Sequence, residues 1–245
     1  MPRVEEVHAM PFHRILLKLS GEALAGRQGH GFDLQLLENY CQAIAKAVKE
    51  GGLQLALVVG GGNIFRGIQA SSTAILRSRA DQMGMLATVI NGMALEQMLL
   101  HAGATVQLYT ATPMEPIATY YRIDSASAAL AEGKVVIIAG GTANPYFTTD
   151  SAAALRACEL GCDLLAKGTR VDGVYDMDPE KHPEAKRYDH LSFQEVYSKR
   201  LKVMDLTAFT LCQENNVPIV VFDLDTPDAL LRLGRGEQIG TLVQG

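Results

Sequence analysis

Short apolar runs alternate with segments of helical period along most of this chain. Residues 14–19 are apolar but for Arg14 and Lys18, end at Ser20-Gly21, and read as a strand. Phe32-Asp33 then opens a helix in which Leu34, Leu37, Cys41, Ile44 and Val48 recur at helical spacing. Gly51-Gly52 closes it, as C-terminal glycines do. Residues 53–59 form a second apolar run, broken by Gly60-Gly61-Gly62. A long helical region spans about residues 80–101, and further strands are expected at 105–109, 134–139, 163–166 and 217–222. Helices at 126–131, 152–157 and 206–214 fall between them. Strands that alternate with helices predict an α/β fold with a parallel sheet covered on both faces. No repeat or low-complexity linker interrupts the pattern. Residues 176–189, rich in Asp, Lys, Pro and His, read as a hinge or as a surface excursion over a site. The expectation is a single domain over residues 1–245, with one sheet and two functional halves that meet near residue 165.

Composition narrows the class of partner. The chain has 245 residues, 48% hydrophobic and 20% charged, with a formal net charge of -5. That balance lacks the basic footprint of a nucleic-acid binder, so no nucleic acid is expected as a partner. Any anionic ligand must be met by a few placed cations. No unbroken apolar run reaches the roughly 18 residues of a membrane span, so no membrane partner is expected. The first ten residues lack the apolar core of a signal peptide and read as a loose tail, which makes the cytoplasm the default location. Cys158 and Cys162 are expected on one face of a helix. With Cys41 and Cys212 they read as buried or half-buried free thiols, because no pair supplies zinc-finger spacing.

Candidate chemistry collects where strands end. Ser20-Gly21, Gly60-Gly61-Gly62-Asn63, Gly140-Gly141-Thr142 and Lys167-Gly168-Thr169 all follow expected strands. One such turn is ordinary punctuation, whereas the set suggests backbone approaching a polyanion at the carboxyl ends of a parallel sheet. The P-loop, the dinucleotide fingerprint and the protein-kinase signatures are missing. Alternation puts Lys18 on the face opposite Leu17 and Leu19, where an ammonium group needs an anionic partner. Lys167 repeats the arrangement after the fifth strand. Two such lysines suit a transferring phosphoryl group. Arg66 offers a planar fork for phosphate oxygens. Asp81 reads either as a helix-start charge or as an acceptor for a ribose hydroxyl, and Asp150 as the N-cap of the following helix.

These residues fall in a recognisable order. Lys18-Leu-Ser-Gly-Glu-Ala23, Val59-Gly-Gly-Gly-Asn-Ile-Phe-Arg-Gly67, Asp81-Gln-Met-Gly-Met-Leu-Ala-Thr88 and Gly141-Thr-Ala-Asn-Pro-Tyr-Phe-Thr-Thr-Asp-Ser151 are followed by Lys167-Gly-Thr-Arg-Val-Asp-Gly-Val-Tyr175. Tyr188-Asp-His-Leu-Ser-Phe193, Lys202-Val-Met-Asp205 and Gly240-Thr-Leu-Val243 complete the series. From about His13 onward the chain resembles the bacterial uridylate (UMP) kinases of the amino-acid-kinase superfamily. The resemblance implies a three-layer α/β/α sandwich with a largely parallel central sheet, a homohexamer, and the reaction ATP + UMP → ADP + UDP with Mg²⁺ carried mainly on the ATP phosphates.

Carried over by position, Lys18, Leu19, Ser20 and Gly21 would face the ATP phosphates with Gly62 and Arg66 nearby. Thr169, Tyr175 and Asp178 would line the ATP nucleoside site. Gly61, Asp81, Gly141, Thr142, Ala143, Asn144, Pro145, Tyr146, Phe147 and Thr148 would hold UMP. Lys18, Asp150 and Lys167 would be catalytic, and Asp205 lies in a motif whose role the resemblance does not specify. The half covering residues 13–165 would bind UMP and support assembly, with Met83, Met85 and Leu86 on either an interface or a core face, and residues 166–245 would bind the ATP nucleoside. No protein-built metal site is expected. The resemblance also implies inhibition by UTP. The segment from Leu95 to His101 carries no lysine or arginine, and Gln107 lies on the next strand, so strong activation by GTP is not expected. Ala143 stands where this family commonly has glycine, a change expected to be tolerated unless the position needs positive φ. Two rivals stay open: another kinase of the same fold, acting on carbamate, acetylglutamate, aspartate or isopentenyl phosphate, and a non-catalytic nucleotide-binding protein. The loop from Asn144 to Asp150 speaks for a nucleoside monophosphate, and the paired lysines speak for catalysis.

Overall fold

Nine strands form one sheet at the centre of the computed structural model, which describes residues 12–65, 74–201 and 203–245. Strand β1 (Arg14–Leu19) lies in the middle, between β2 (Gln54–Val59) and β6 (Leu164–Thr169). Beyond β2 come β5 (Val135–Ala139), β3 (Val106–Thr110) and the short edge strand β4 (Thr119–Tyr120). Beyond β6 come β10 (Ile219–Asp223), β11 (Thr241–Gln244) and β9 (His190–Ser192). Only the β10–β11 pairing is antiparallel. A separate hairpin pairs β7 (Val174–Tyr175) with β8 (Arg187–Tyr188).

The central strands are buried on both faces, which is why they read as nearly unbroken aliphatic runs. Ile15, Leu17 and Leu19 enter one core with α2 (Leu34–Gly51), α3 (Arg77–His101) and α8 (Ala229–Gly234). Leu16 enters the other core, with α4 (Ile123–Ala131), α5 (Thr149–Glu159), α6 (Phe193–Ser198) and α7 (Leu206–Glu214). Lys18 shares the Leu16 side, as alternation requires. Helix α2 starts where Asp33 accepts a hydrogen bond from the Leu36 N–H at 3.1 Å, and stops where Gly52 turns left-handed at φ 64.

The structure corrects several expectations. Lys167-Gly168-Thr169 is strand, not turn: β6 runs to Thr169 because β1 flanks it on one side and β10 on the other. Gly168 is required there because Leu224 fills the side-chain space, 2.5 Å from where a Cβ would stand. Helix α5 ends at Glu159 and Gly161 turns at φ 60, so Cys158 is helical and Cys162 is not. All four cysteines are free, three buried and Cys158 half-buried. Residues 176–189 lie mostly in the long loop of the β7–β8 hairpin rather than in a hinge. Helix α3 is apolar and long enough to cross a membrane by length and composition alone, although no unbroken apolar run marks it in the sequence. It carries buried Thr88 and Asn91, whose side chains bond to loops beside the sheet.

Candidate active site

Parallel register brings Lys18 of β1 and Lys167 of β6 side by side as direct partners at the carboxyl ends of their strands. Lys18 is 7% exposed. Lys167 is half-buried, and two ammonium groups that close would repel one another; Asp150, in the first turn of α5, answers both. Its Oδ1 lies 2.7 Å from Lys18 Nζ and its Oδ2 2.9 Å from Lys167 Nζ. Burial alone would raise the Asp150 carboxyl, but Lys18 and Lys167 outweigh it and hold the group below the usual carboxylate range. Lys167 is moved down: burial disfavours its charge, Asp150 opposes that, and Lys18 adds to it. Lys167 Nζ also donates to the Val203 carbonyl at 2.6 Å. Both carboxylate oxygens of Asp150 are thus committed to cations, and the triad keeps a net positive charge aimed at the strand ends.

Asp150 does not cap α5. Thr148 does, accepting from the N–H groups of Asp150 and Ser151, both at 3.1 Å. The Thr148 hydroxyl in turn donates to Asp205. Asp205 also accepts from Ser151 Oγ at 3.0 Å and caps α7 through the Ala208 N–H at 3.0 Å. One carboxylate therefore ties the first turns of two helices together, two residues beyond the carbonyl that holds Lys167. The sequence marks Asp205 only as part of a motif. Its position before an apolar helical run is a capping signal that could have been read.

Two cavities lie near this centre. The larger, about 600 Å³, is lined by Lys167, Thr169, Tyr175, Asp178, Arg200 and Val203 among others. The smaller, about 160 Å³, is lined by Gly61, Gly62, Asp81, Gly141, Phe147, Thr148 and their neighbours. The structure places Gly62 in this smaller cavity, beside Gly61. Lys167 belongs to the wall of the first, and Thr148-Thr149, next to Asp150, to the wall of the second. Ser20 caps α1 (Gly21–Ala25) by accepting from the Ala23 N–H at 3.1 Å. Gly21 meets the second glycine turn so closely that a Cβ there would stand 2.7 Å from the Gly62 nitrogen. Leu19 turns its side chain into the core, and its carbonyl accepts from Gly60 N–H at 2.8 Å. Arg66 lies outside the described residues.

The loop between β5 and α5 is shaped by contacts to α3. Asp81 accepts from the backbone N–H of Tyr146 at 2.8 Å, and Arg77 lies 5.3 Å from the centre of the Tyr146 ring. Thr88 accepts from Gly140 N–H at 2.8 Å. Thr142 and Asn144 bond each other across a local turn, and Pro145 follows, while Tyr146 and Phe147 are exposed. Asp81 thus has a structural partner in addition to whatever it offers a ligand. Ala143 and Tyr146 both adopt positive φ, 65 and 74. The condition under which a methyl group at 143 would be tolerated is therefore not met, and the alanine there is strained.

Comparison with known proteins identifies the family. Residues 13–223 match the Amino acid kinase family. A uridylate kinase of Parabacteroides distasonis is 50% identical over 95% of this chain and 98% of its own, and one of Magnetococcus marinus is 52% identical over 94% and 95%. Among solved structures, a UMP kinase from Bacillus anthracis superposes with a TM-score of 0.91 at 36% identity, covering 96% of each chain.

Replacing Ala143 with glycine removes the strained methyl group while the loop keeps its bonds. Ala143→Gly should raise unfolding stability by about 1 kcal/mol, measured by urea denaturation. An unchanged or lower midpoint would mean that φ at this position carries no strain.

Proposed function

The chain belongs to the amino acid kinase family, and from that premise we infer that it transfers the γ-phosphoryl group of ATP to UMP, giving ADP and UDP. The observation that carries this reading is the Lys18–Asp150–Lys167 bridge, with Lys167 in the wall of the larger cavity and Thr148-Thr149, next to Asp150, in the wall of the smaller. ATP enters with its nucleoside in the larger cavity, against Thr169, Tyr175 and Asp178, all supplied by residues 166–245. UMP enters the smaller one, against Gly61, Asp81 and the loop from Gly141 to Thr148, all supplied by residues 13–165. The phosphates of both then meet at the lysines.

The reaction needs no general base. A UMP phosphate oxygen is the nucleophile, and with a second pKa of about 6 it is largely ionised at neutral pH. It attacks the γ-phosphorus in line, and the bond to the β-bridging oxygen breaks as the new one forms. Negative charge spreads over the transferring oxygens, and Lys18 and Lys167 neutralise it from fixed positions. Asp150, paired with both ammonium groups and held below the usual carboxylate range, orients them and is a poor proton acceptor.

Among the described residues no group of three or more His, Cys, Asp or Glu side chains is arranged to hold a metal. The residues fit a Mg²⁺ ion that arrives on the ATP phosphates, since that ion keeps waters and phosphate oxygens as ligands and needs few from protein. When bound it supplies charge neutralisation at the β- and γ-phosphoryl oxygens. UTP would inhibit by occupying the uridine cavity. The 95–101 segment and Gln107, whose amide donates to Thr119, offer GTP no lysine or arginine, so little activation by GTP is expected.

Assembly is part of the same reading. Met83, Leu86, Ile90, Met93 and Leu100 of α3 are 40%, 52%, 48%, 43% and 46% exposed. Their spacing follows a heptad seam on the side of α3 away from the sheet, the pattern by which two helices pack. Ile117, Tyr120 and Ile123 form a second exposed apolar group beside edge strand β4. Two distinct contacts per chain are what a closed assembly larger than a dimer requires, and a homohexamer satisfies this.

The deciding experiment is ADP release from Mg-ATP with UMP, CMP, dUMP, AMP or carbamate as acceptor. UMP should be strongly preferred, and Lys18→Ala should lower kcat by roughly 100-fold or more with the fold intact. Release with carbamate and not UMP, or tight nucleotide binding without release, would replace the reading. The alkaline limb of the pH profile should follow Lys167. Its charge is lost as pH rises through a pKa below the ordinary lysine value, so kcat falls there. Lys167→Arg, which keeps its charge, should move that limb to higher pH, and an unmoved limb would assign it elsewhere. Leu86→Glu combined with Ile90→Glu should shift the sedimentation coefficient toward smaller species, whereas an unchanged coefficient would remove α3 from the interface.

A further inference from the structure

The face of α3 toward the sheet holds a polar device that the proposed chemistry does not itself use. Asn91 is fully buried, and Asn63 is 3% exposed. Their carboxamides meet head to tail: Asn91 Nδ2 donates to Asn63 Oδ1 at 2.7 Å, and Asn63 Nδ2 donates to Asn91 Oδ1 at 3.0 Å. The remaining hydrogens of the pair are also used. Asn91 Nδ2 donates to the Gly60 carbonyl at 2.6 Å, and Asn63 Nδ2 to the Gly31 carbonyl at 2.8 Å. A side chain that must donate twice and accept once in a buried site has to be an amide. Neither an aspartate nor an aliphatic residue of similar size can make these bonds.

The pair sits where position matters. The Gly60 N–H is tied to the Leu19 carbonyl at 2.8 Å, one residue after Lys18, and the Gly60 carbonyl is tied to Asn91. A Cβ on Gly21 would stand 2.5 Å from Asn63 Oδ1. The two glycine turns and the buried amides therefore form one close-packed unit, with Lys18 emerging from it. We propose that Asn91 is a positioning residue for phosphoryl transfer: through Gly60 and Asn63 it sets the 60–62 turn against the 20–21 turn and so fixes where phosphate meets the protein. This rests on the phosphoryl-transfer reading above. A core amide that merely satisfied its neighbours would affect stability and leave the rate of folded enzyme alone.

Asn91→Ala removes the donors to Gly60 and Asn63. At saturating substrates and a temperature well below unfolding, kcat should fall by roughly tenfold or more, while KM for ATP and UMP changes by less than about threefold. Asn91→Asp is the second variant. Its carboxyl, fully buried and facing the Gly60 carbonyl, titrates above the usual carboxylate range. Ionised, it repels Gly60; protonated, it can donate to it. The kcat of Asn91→Asp relative to the unaltered protein should therefore rise as pH falls. Hydrogen exchange across residues 60–65 should be faster in Asn91→Ala than in the unaltered protein, a readout that needs no turnover. Normal kcat in folded Asn91→Ala overturns the proposal. If that variant does not fold, a flat relative pH profile for Asn91→Asp overturns it. Absence of ADP release from the unaltered protein removes the phosphoryl-transfer reading instead, while faster exchange would still place Asn91 in control of the loop.

Discussion

Two ammonium groups on neighbouring strands at the centre of a sheet are tolerable only if an anion stands between them. Here Asp150 stands 2.7 Å from one and 2.9 Å from the other, and much of the surrounding architecture serves to keep it there. Removing one member of a buried ion group costs several kcal/mol because the remaining charge is left unpaired. The arrangement is a poor source of stability compared with apolar packing, so its presence points to chemistry. Its charges do not cancel: two cations share one carboxylate, and the excess is directed to the strand ends, where a polyanion would complete the balance.

That constraint explains why the turns around it are held so tightly. Asp150 lies in the first turn of α5, so its place depends on the Thr148 cap, which depends in turn on Asp205 at the start of α7. Lys167 is steadied by the Val203 carbonyl, in the same stretch of chain as Asp205. A shift in the wall of the larger cavity at Val203, two residues before Asp205, therefore reaches Lys167 through a direct bond and Asp150 through the Thr148 cap. The cavity that would take the ATP nucleoside and the charges that would act on its phosphates are mechanically one object.

How much of this could be read from the sequence depended on the kind of force involved. The central strands and α2 were legible because burial on both faces produces unbroken aliphatic runs, and because Asp33 and Gly52 mark the helix ends in residue type. Lys18 was legible as a charge set inside such a run, with apolar residues on both sides. The end of β6 was not: Lys167-Gly168-Thr169 looks like a turn, and only pairing with β1 and β10 keeps it extended. Short strands β9 and β11 owe their existence to partners far along the chain and leave no period of their own. At the site, local rules favoured Asp150 as the cap, yet the structure gives that task to Thr148 and frees Asp150 for the lysines. The Asn63–Asn91 pair was invisible for a different reason, since a polar residue in a glycine turn and another in an apolar helix declare nothing until the fold brings them together.

Helix α3 shows why one pattern can mislead. It is apolar on nearly every side, which by composition alone suits a membrane span as well as a soluble core. The contacts divide it into two faces. Ala80, Ala87, Leu95 and Leu99 pack inward on the same face from which Asp81, Thr88 and Asn91 bind neighbouring loops, and Met83, Leu86, Ile90 and Met93 remain exposed on the other. The polar groups of the inward face would be costly in lipid, because they would lose the loop partners that satisfy them. With those partners in place, α3 is a rigid bar between an outward apolar seam and the two glycine-rich loops. A second copy of the chain seated on the seam would thus press on the helix that positions both loops, and assembly and loop geometry would be linked through the same rigid element.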